Sequence, residues 1–173
     1  MKDIPLGASA ELVYVVTPDK TVPRTYAEFP EFRDMPPVFA TGLLVTLLET
    51  CCRKAPRGRH FVSSAPRGGQ GNLGRPGVSL RAVLPYLDWP REVSVGTQVN
   101  FAHLAATPPG MTVRVRAEVT AVQGRKVSFR AVAHDEFDCI AEGTHERQVV
   151  DAARFSAKVA EKTARRGRGP SSS

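Results

Sequence analysis

An α+β fold is predicted: one long buried helix wrapped by a curved antiparallel sheet, with a long Gly/Arg/Pro-rich insert after the helix. Three observations predict it. Apolar and polar residues alternate over 112–120 and again over 126–133, the period of a half-buried strand. Val38 to Cys52 is the most apolar stretch and is too long for an ordinary strand. A β-branched and aromatic run, 11–17, precedes it. The length of 173 residues suits a single domain with its own core.

The elements follow in order. Glu11 to Thr17 reads as a strand, ended by the turn signal Pro18-Asp19-Lys20. Residues 26–37, rich in Pro, Glu and Phe, read as an irregular or one-turn helical segment. Pro36 and Pro37 suit the first turn of a helix over 38–52, about four turns long. That helix is apolar nearly all round, so it is expected to be buried on every side. Residues 53–79 hold six glycines and three prolines without apolar periodicity, which predicts a flexible insert. Leu80 to Leu84 resumes a helical character. Strands are then predicted at 92–102, 112–120, 126–133 and 139–150, joined by turns at 107–110, 123–125 and 134–138. The last three form an antiparallel meander. A helix apolar on all sides needs a sheet curled around it, and that arrangement is the hotdog architecture. The domain is taken as 1–157, and 158–173 as a basic, disordered tail.

Charge and cysteines bound the function. The net charge is +7, of which 53–79 carries +6 and 158–168 carries +4, leaving −3 for everything else. Basic character confined to a loop and a tail, with only Phe61 interleaved in the loop, is not a single-strand-binding pattern, and no nucleic-acid partner is expected. No apolar run reaches the roughly 18 residues that span a bilayer, and Met1 to Pro5 lacks a signal-peptide pattern. Three cysteines, two of them adjacent at 51 and 52, argue against a disulfide framework. A cytoplasmic protein is expected, with the cysteines acting as small buried apolar groups.

Chemistry-bearing residues are few. Thr41 and Glu49 lie eight positions apart on the predicted helix, about 80° around its axis, so both can border one pocket. His103 ends a predicted strand. Carboxylate, imidazole and hydroxyl are sufficient parts for hydrolysing an activated acyl group. Gly96 would let a substrate approach a backbone N–H able to hold an oxyanion. His134, Asp135, Asp138 and His145 flank one hairpin, and turn chemistry with edge-strand polarity explains them better than metal ligation. No metal or cofactor is expected, and neither a phosphate loop nor a dinucleotide loop is present.

These residues sit within a broader resemblance. Tyr26 to Gly42 (YAEFPEFRDMPPVFATG) with Glu49, then Gly96-Thr97, His103 to Gly110 (HLAATPPG), Ala133-His134-Asp135, Gly143 to Arg147 (GTHER) and Arg154 to Val159 (RFSAKV) together resemble the fluoroacetyl-CoA thioesterase family of hotdog enzymes. The resemblance spans about residues 1–52 and 80–163. It implies hydrolysis of a short-chain acyl-CoA to free acid and coenzyme A, with coenzyme A present only as part of the substrate. It places the catalytic set on Thr41, Glu49 and His103 and the substrate-binding set on Met35, Phe39, Gly96 and Arg147. Hotdog domains pair through sheet edges, so a homodimer is expected. The alternative is a hotdog module that binds acyl-CoA without turning it over. Two departures stand out. Met35 replaces a gating phenylalanine, and a flexible thioether does not reproduce a rigid aromatic lid. The insert at 53–79 is absent from the family pattern.

Overall fold

The computed structural model describes residues 1–53 and 86–166. Most of the predicted insert, the helical stretch 80–84 and the last seven residues therefore lie outside the described residues. Among the described residues there are five strands: β1 (Ser9–Val15), β2 (Glu92–His103), β3 (Thr112–Gln123), β4 (Lys126–His134) and β5 (Cys139–Asp151). Three α-helices accompany them: α1 (Val22–Thr25), α2 (Thr41–Cys52) and α3 (Ala152–Arg166). A further single turn of 3₁₀ helix at Pro30–Phe32 lies in the segment read as irregular.

The strands form one antiparallel sheet in the order β1-β3-β4-β5-β2. Alternation decides what faces the helix. In β3, Val113, Val115, Ala117 and Val119 are buried while Arg114, Arg116 and Glu118 are exposed. In β4, Val127, Phe129, Ala131 and Ala133 are buried. Leu44 and Leu48 of α2 press onto this face and are at most 1% exposed. Each such leucine contributes roughly 1.5–3 kcal/mol by leaving water. Register shifts at Gly96/Gln98, Val119/Ala121 and Ala133/His134 are bulges, which bend a sheet and let it curl round a helix.

Three expectations are corrected. The helix begins at Thr41, not Val38, and has 12 residues. The backbone of 38–40 is held sideways instead: Phe39 N–H donates to the Thr107 carbonyl at 2.8 Å, Ala40 N–H to Lys20 at 3.1 Å, and the Val38 carbonyl accepts from Val22 at 2.9 Å. Pro36 and Pro37 thus lead into an extended strap rather than into the helix. Second, α2 is not buried on every side. Leu44, Leu48, Cys51 and Cys52 are buried, but Thr41, Gly42 and Thr46 are exposed, because the sheet of one chain covers one face of the helix only. Third, the tail assigned as disordered from 158 is helical to Arg166. Asp151 Oδ1 caps that helix by accepting from Arg154 N–H at 2.9 Å, and the rest is built largely from Ala, Lys, Arg and Glu, good helix formers.

No helix among the described residues is long and apolar enough to cross a membrane.

Candidate active site

The candidate residues fall into two clusters at opposite ends of α2. The first sits at its N-terminus. Thr41 opens the helix and His103 closes β2, with 2.9 Å between Thr41 Oγ1 and His103 Nδ1. Beside them Gly42 N–H, an amide that the helix itself leaves without a partner, donates to the Tyr26 hydroxyl at 3.1 Å. A Cβ at Gly42 would collide with that hydroxyl, so a side chain there would have to displace the tyrosine.

The second cluster surrounds Glu49, near the C-terminal end of α2. Glu49 Oε1 accepts from Arg147 Nη1 at 2.7 Å. Its other oxygen has no hydrogen-bond donor among the described residues. Arg147 is itself held fast: Nε donates to Ser94 Oγ at 3.1 Å and Nη2 to the Ser94 carbonyl at 2.7 Å. The same Nη1 lies 3.0 Å from His145 Nε2. On its other side the imidazole meets the Gln98 carbonyl, 2.7 Å from Nδ1. A Cβ at Gly96 would stand 2.7 Å from Glu49 Oε1 and 3.1 Å from His145 Cε1, so a side chain here would have to push the carboxylate aside.

The segment GTHER supplies this cluster by strand geometry. Successive side chains of a strand face opposite ways, so His145 and Arg147 share the inner face of β5. Glu146 points away and pairs with Lys126 at 2.8 Å. Gly143 lets β2 come close, since a Cβ there would run into the backbone of Asn100 and Phe101. Burial pushes the pKa of the Arg147 guanidinium down, opposed by its bond to Glu49. Burial likewise pushes the His145 pKa below that of a free imidazole. The Cys52 thiol is pushed far up by burial, as expected of a cysteine serving as core.

The structure therefore joins Thr41 to His103, and Glu49 to Gly96 and Arg147, but does not bring the two groups together within one chain. Eight helical residues between Thr41 and Glu49 amount to about 12 Å along the axis. Gly96 and His103 are seven residues apart on β2, about 23 Å of strand. The angular estimate left room for one pocket, but the axial rise separates its walls. Two members of the expected substrate-binding set are buried. Phe39 is 2% exposed and stacks on Tyr14 with ring centroids 5.9 Å apart, so it is core. Arg147 is 3% exposed and faces the Glu49 carboxylate rather than solvent. Met35 lies exposed just beyond the 3₁₀ turn. His145, assigned to hairpin polarity, is 1% exposed and belongs to the Glu49 cluster; the two-residue spacing from Arg147 was the signal for it. Asp135 is a turn residue, accepting from the N–H groups of Phe137 and Asp138, both at 2.9 Å, and from Thr107 Oγ1.

Residues 76–153 match the family described as FlK, fluoroacetyl-CoA-specific thioesterase. Over 150 residues the chain is 43% identical to the fluoroacetyl-CoA thioesterase of Streptantibioticus cattleyicolor, a stretch covering 87% of this chain and 88% of that protein. The chain belongs to the fluoroacetyl-CoA thioesterase family. As a member of that family it is a thioesterase, an enzyme that hydrolyses thioesters. A solved structure of the fluoroacetyl-CoA thioesterase FlK matches with a TM-score of 0.74 at 40% identity, covering 93% of this chain and 98% of that one. Another FlK structure, of a variant, holds acetyl-CoA. A hot-dog-like protein from Thermanaerovibrio acidaminovorans, 19% identical, covers 92% of this chain and 93% of its own with a TM-score of 0.65, and shares the fold.

Proposed function

We propose that this thioesterase hydrolyses a short-chain acyl-CoA to the free acid and coenzyme A, as a cytoplasmic homodimer whose sites are shared between protomers. The observation that carries this reading is Glu49. Its carboxylate is fixed at one oxygen by a buried arginine and has no donor at the other among the described residues, beside a glycine that keeps the space in front of it open.

In each site Thr41 and His103 of one protomer face Glu49 of the partner subunit. The edge strand β2 supports this arrangement, because Gly96 to Leu104 is exposed apart from a half-buried Phe101. Two copies of β2 paired antiparallel about a two-fold axis at Val99 would set Gly96 of one protomer beside His103 of the partner subunit. That register closes the 23 Å gap without moving any element.

The chemistry then follows. Glu49 attacks the thioester carbonyl, giving an acyl–Glu49 anhydride that water cleaves, or takes a proton from the water that attacks directly. The developing oxyanion is held by the Gly96 backbone N–H. His103 delivers a proton to the departing coenzyme A thiolate, and Thr41 sets the imidazole through its hydroxyl. Met35, where the family pattern has a gating phenylalanine, makes the pocket one for small acyl groups without strict demand for fluorine. No metal or bound cofactor takes part, and coenzyme A enters only as the leaving group. The cytoplasmic assignment rests on that substrate and on three cysteines that form no disulfide with one another.

The test is thiol release from acetyl-CoA by the folded protein and by Glu49→Gln. Turnover should fall at least about 100-fold in the variant, with the fold kept. Turnover equal to wild type would remove Glu49 from the chemistry. Binding of acyl-CoA by the wild type without thiol release would leave only a binding module.

A further inference from the structure

We infer that His145 is a positioning residue, a buried neutral imidazole that fixes Arg147 so that Arg147 can aim Glu49. The inference rests on the hydrolase reading above and adds a residue to it.

The argument is one of donors and acceptors. His145 is 1% exposed, between the rings of Phe101 and Phe129, both with centroids 6.4 Å away. Its Nδ1 lies 2.7 Å from the Gln98 carbonyl, and a carbonyl only accepts, so Nδ1 must carry the proton. Its Nε2 lies 3.0 Å from Arg147 Nη1, and a guanidinium only donates, so Nε2 must carry the lone pair. The two contacts specify one tautomer of the uncharged ring. A protonated ring would set an N–H against the guanidinium. Burial, the largest effect, and the neighbouring Arg147 charge disfavour that form, while the Gln98 carbonyl, Glu49 and Glu146 favour it, and the net shift is toward the neutral ring.

What the ring does is direct Arg147. The two hydrogens of Nη1 are divided between Glu49 Oε1 and His145 Nε2, and Ser94 takes the remaining fork. Without the imidazole lone pair, Nη1 keeps one directed bond in the plane where it needs two. The guanidinium can then swing, and Glu49 swings with it. Glu49 Oε1 lies 3.7 Å from Nε2, so the ring acts on the carboxylate through the arginine. The chain is thus Gln98 carbonyl, His145, Arg147, Glu49, running from the bulge of β2 to the reacting carboxylate.

Three substitutions test it. His145→Phe keeps the aromatic packing and removes both bonds. His145→Asn keeps a donor for Gln98 but falls short of Arg147. His145→Gln reaches Arg147 with an accepting oxygen. With acetyl-CoA, kcat is expected to fall about tenfold or more in the Phe and Asn variants with KM within twofold. The Gln variant should recover to within about threefold of wild type. A merely structural histidine would lower the thermal midpoint of all three and would not separate Asn from Gln in kcat. Nitrogen-15 NMR of the wild-type ring is independent of whether the variants fold. A protonated Nδ1 with an unprotonated Nε2 supports the inference, and the reverse tautomer or a charged ring at pH 7 overturns it. Equal kcat in the Phe variant and wild type overturns it too, as does a Gln variant no better than Asn. If wild-type protein releases no thiol, the hydrolase reading fails, and the NMR measurement still decides the tautomer.

Discussion

A mixture of two dead variants should regain activity if each site is built from both protomers. Take Glu49→Gln in one preparation and His103→Ala in the other, each inactive alone. The perturbation follows from geometry: Thr41 and Glu49 are about 12 Å apart on one rigid helix, while a proton or acyl transfer needs heavy atoms within about 3–3.5 Å. No side-chain rotation closes that distance within a chain. In a heterodimer, one site combines the intact His103 of the first chain with the intact Glu49 of the second. The other site carries both lesions. Random exchange makes half the dimers mixed, each with one of two sites intact, so the mixture should reach about a quarter of wild-type turnover per protomer. The assay is thiol release after the two preparations are unfolded and refolded together, with each refolded alone as control. If all three groups acted within one chain, every site in a heterodimer would carry one lesion and nothing would return. A mixture as inactive as its components, with heterodimers demonstrated by mass, would refute the shared site.

Further outcomes can be measured on the same protein. Gly96→Ala places a methyl 2.7 Å from Glu49 Oε1, and displacing that carboxylate by about 1 Å should cost on the order of 100-fold in kcat, while the thermal midpoint changes little because a side-chain tip gives way. Stability should rise with pH in two windows. The folded chain keeps the Glu92 carboxylate ionised down to about pH 2, held first by the N-terminal amine, so stability is present above pH 4.5 and lost as pH falls from there toward 2. The folded chain also resists protonating His145, which is buried beside Arg147 and Glu49, so stability falls again as pH drops below about 6.5, and the His145→Phe variant should lack that step in a series of thermal midpoints. Met35→Phe should raise the fluoroacetyl-to-acetyl ratio of kcat/KM by about tenfold, the scale of a single pocket contact, and an unchanged ratio would exclude Met35 from the acyl pocket.

Strand positions were legible because alternation is a local signal. Val113 to Thr120 and Val127 to Ala133 alternate in the sequence and alternate in burial. The start of α2 was not legible, because the hydrogen bonds that hold Phe39 and Ala40 extended come from Thr107 and Lys20, and Thr107 is far along the chain. The tail misled because charge suggested solvation while its alanines and the cap from Asp151 favour a helix. In the site, residue types were readable and their grouping was not. Thr41, Glu49 and His103 could be named one by one, but a sequence does not state how far apart a helix and a strand will hold them. Arg147 could be named as a site residue, but its pairing with Glu49 was not legible because it depends on β2 folding over it. His145 passed for surface polarity because a histidine beside an acidic turn looks the same whether its ring points in or out.

Strand β2 gives the strongest reason to expect a second copy of the chain. Edge strands expose unpaired backbone groups, and proteins that remain monomeric usually blunt them with Lys, Pro, short length or cover. The two edges of this sheet are treated differently. β1 has seven residues and carries Glu11. β2 has twelve, and from Val93 to His103 it contains no Lys, Arg or Pro. Val99 within it and Leu104 just past its end are 45% and 54% exposed. The open side of α2, with Thr41, Gly42 and Thr46, lies at the same flank as the two half-sites. An unprotected edge, an uncovered helix face and an incomplete site in one region would be three separate liabilities in a monomer. One two-fold pairing of β2 with itself removes the first and completes the third, and it brings a partner to the second. Glu49→Gln and His103→Ala mixed together measure only the site, so the edge needs its own probe: Val99→Lys, placed at the axis where two like charges would meet, should give a folded monomer with its catalytic residues intact and no turnover.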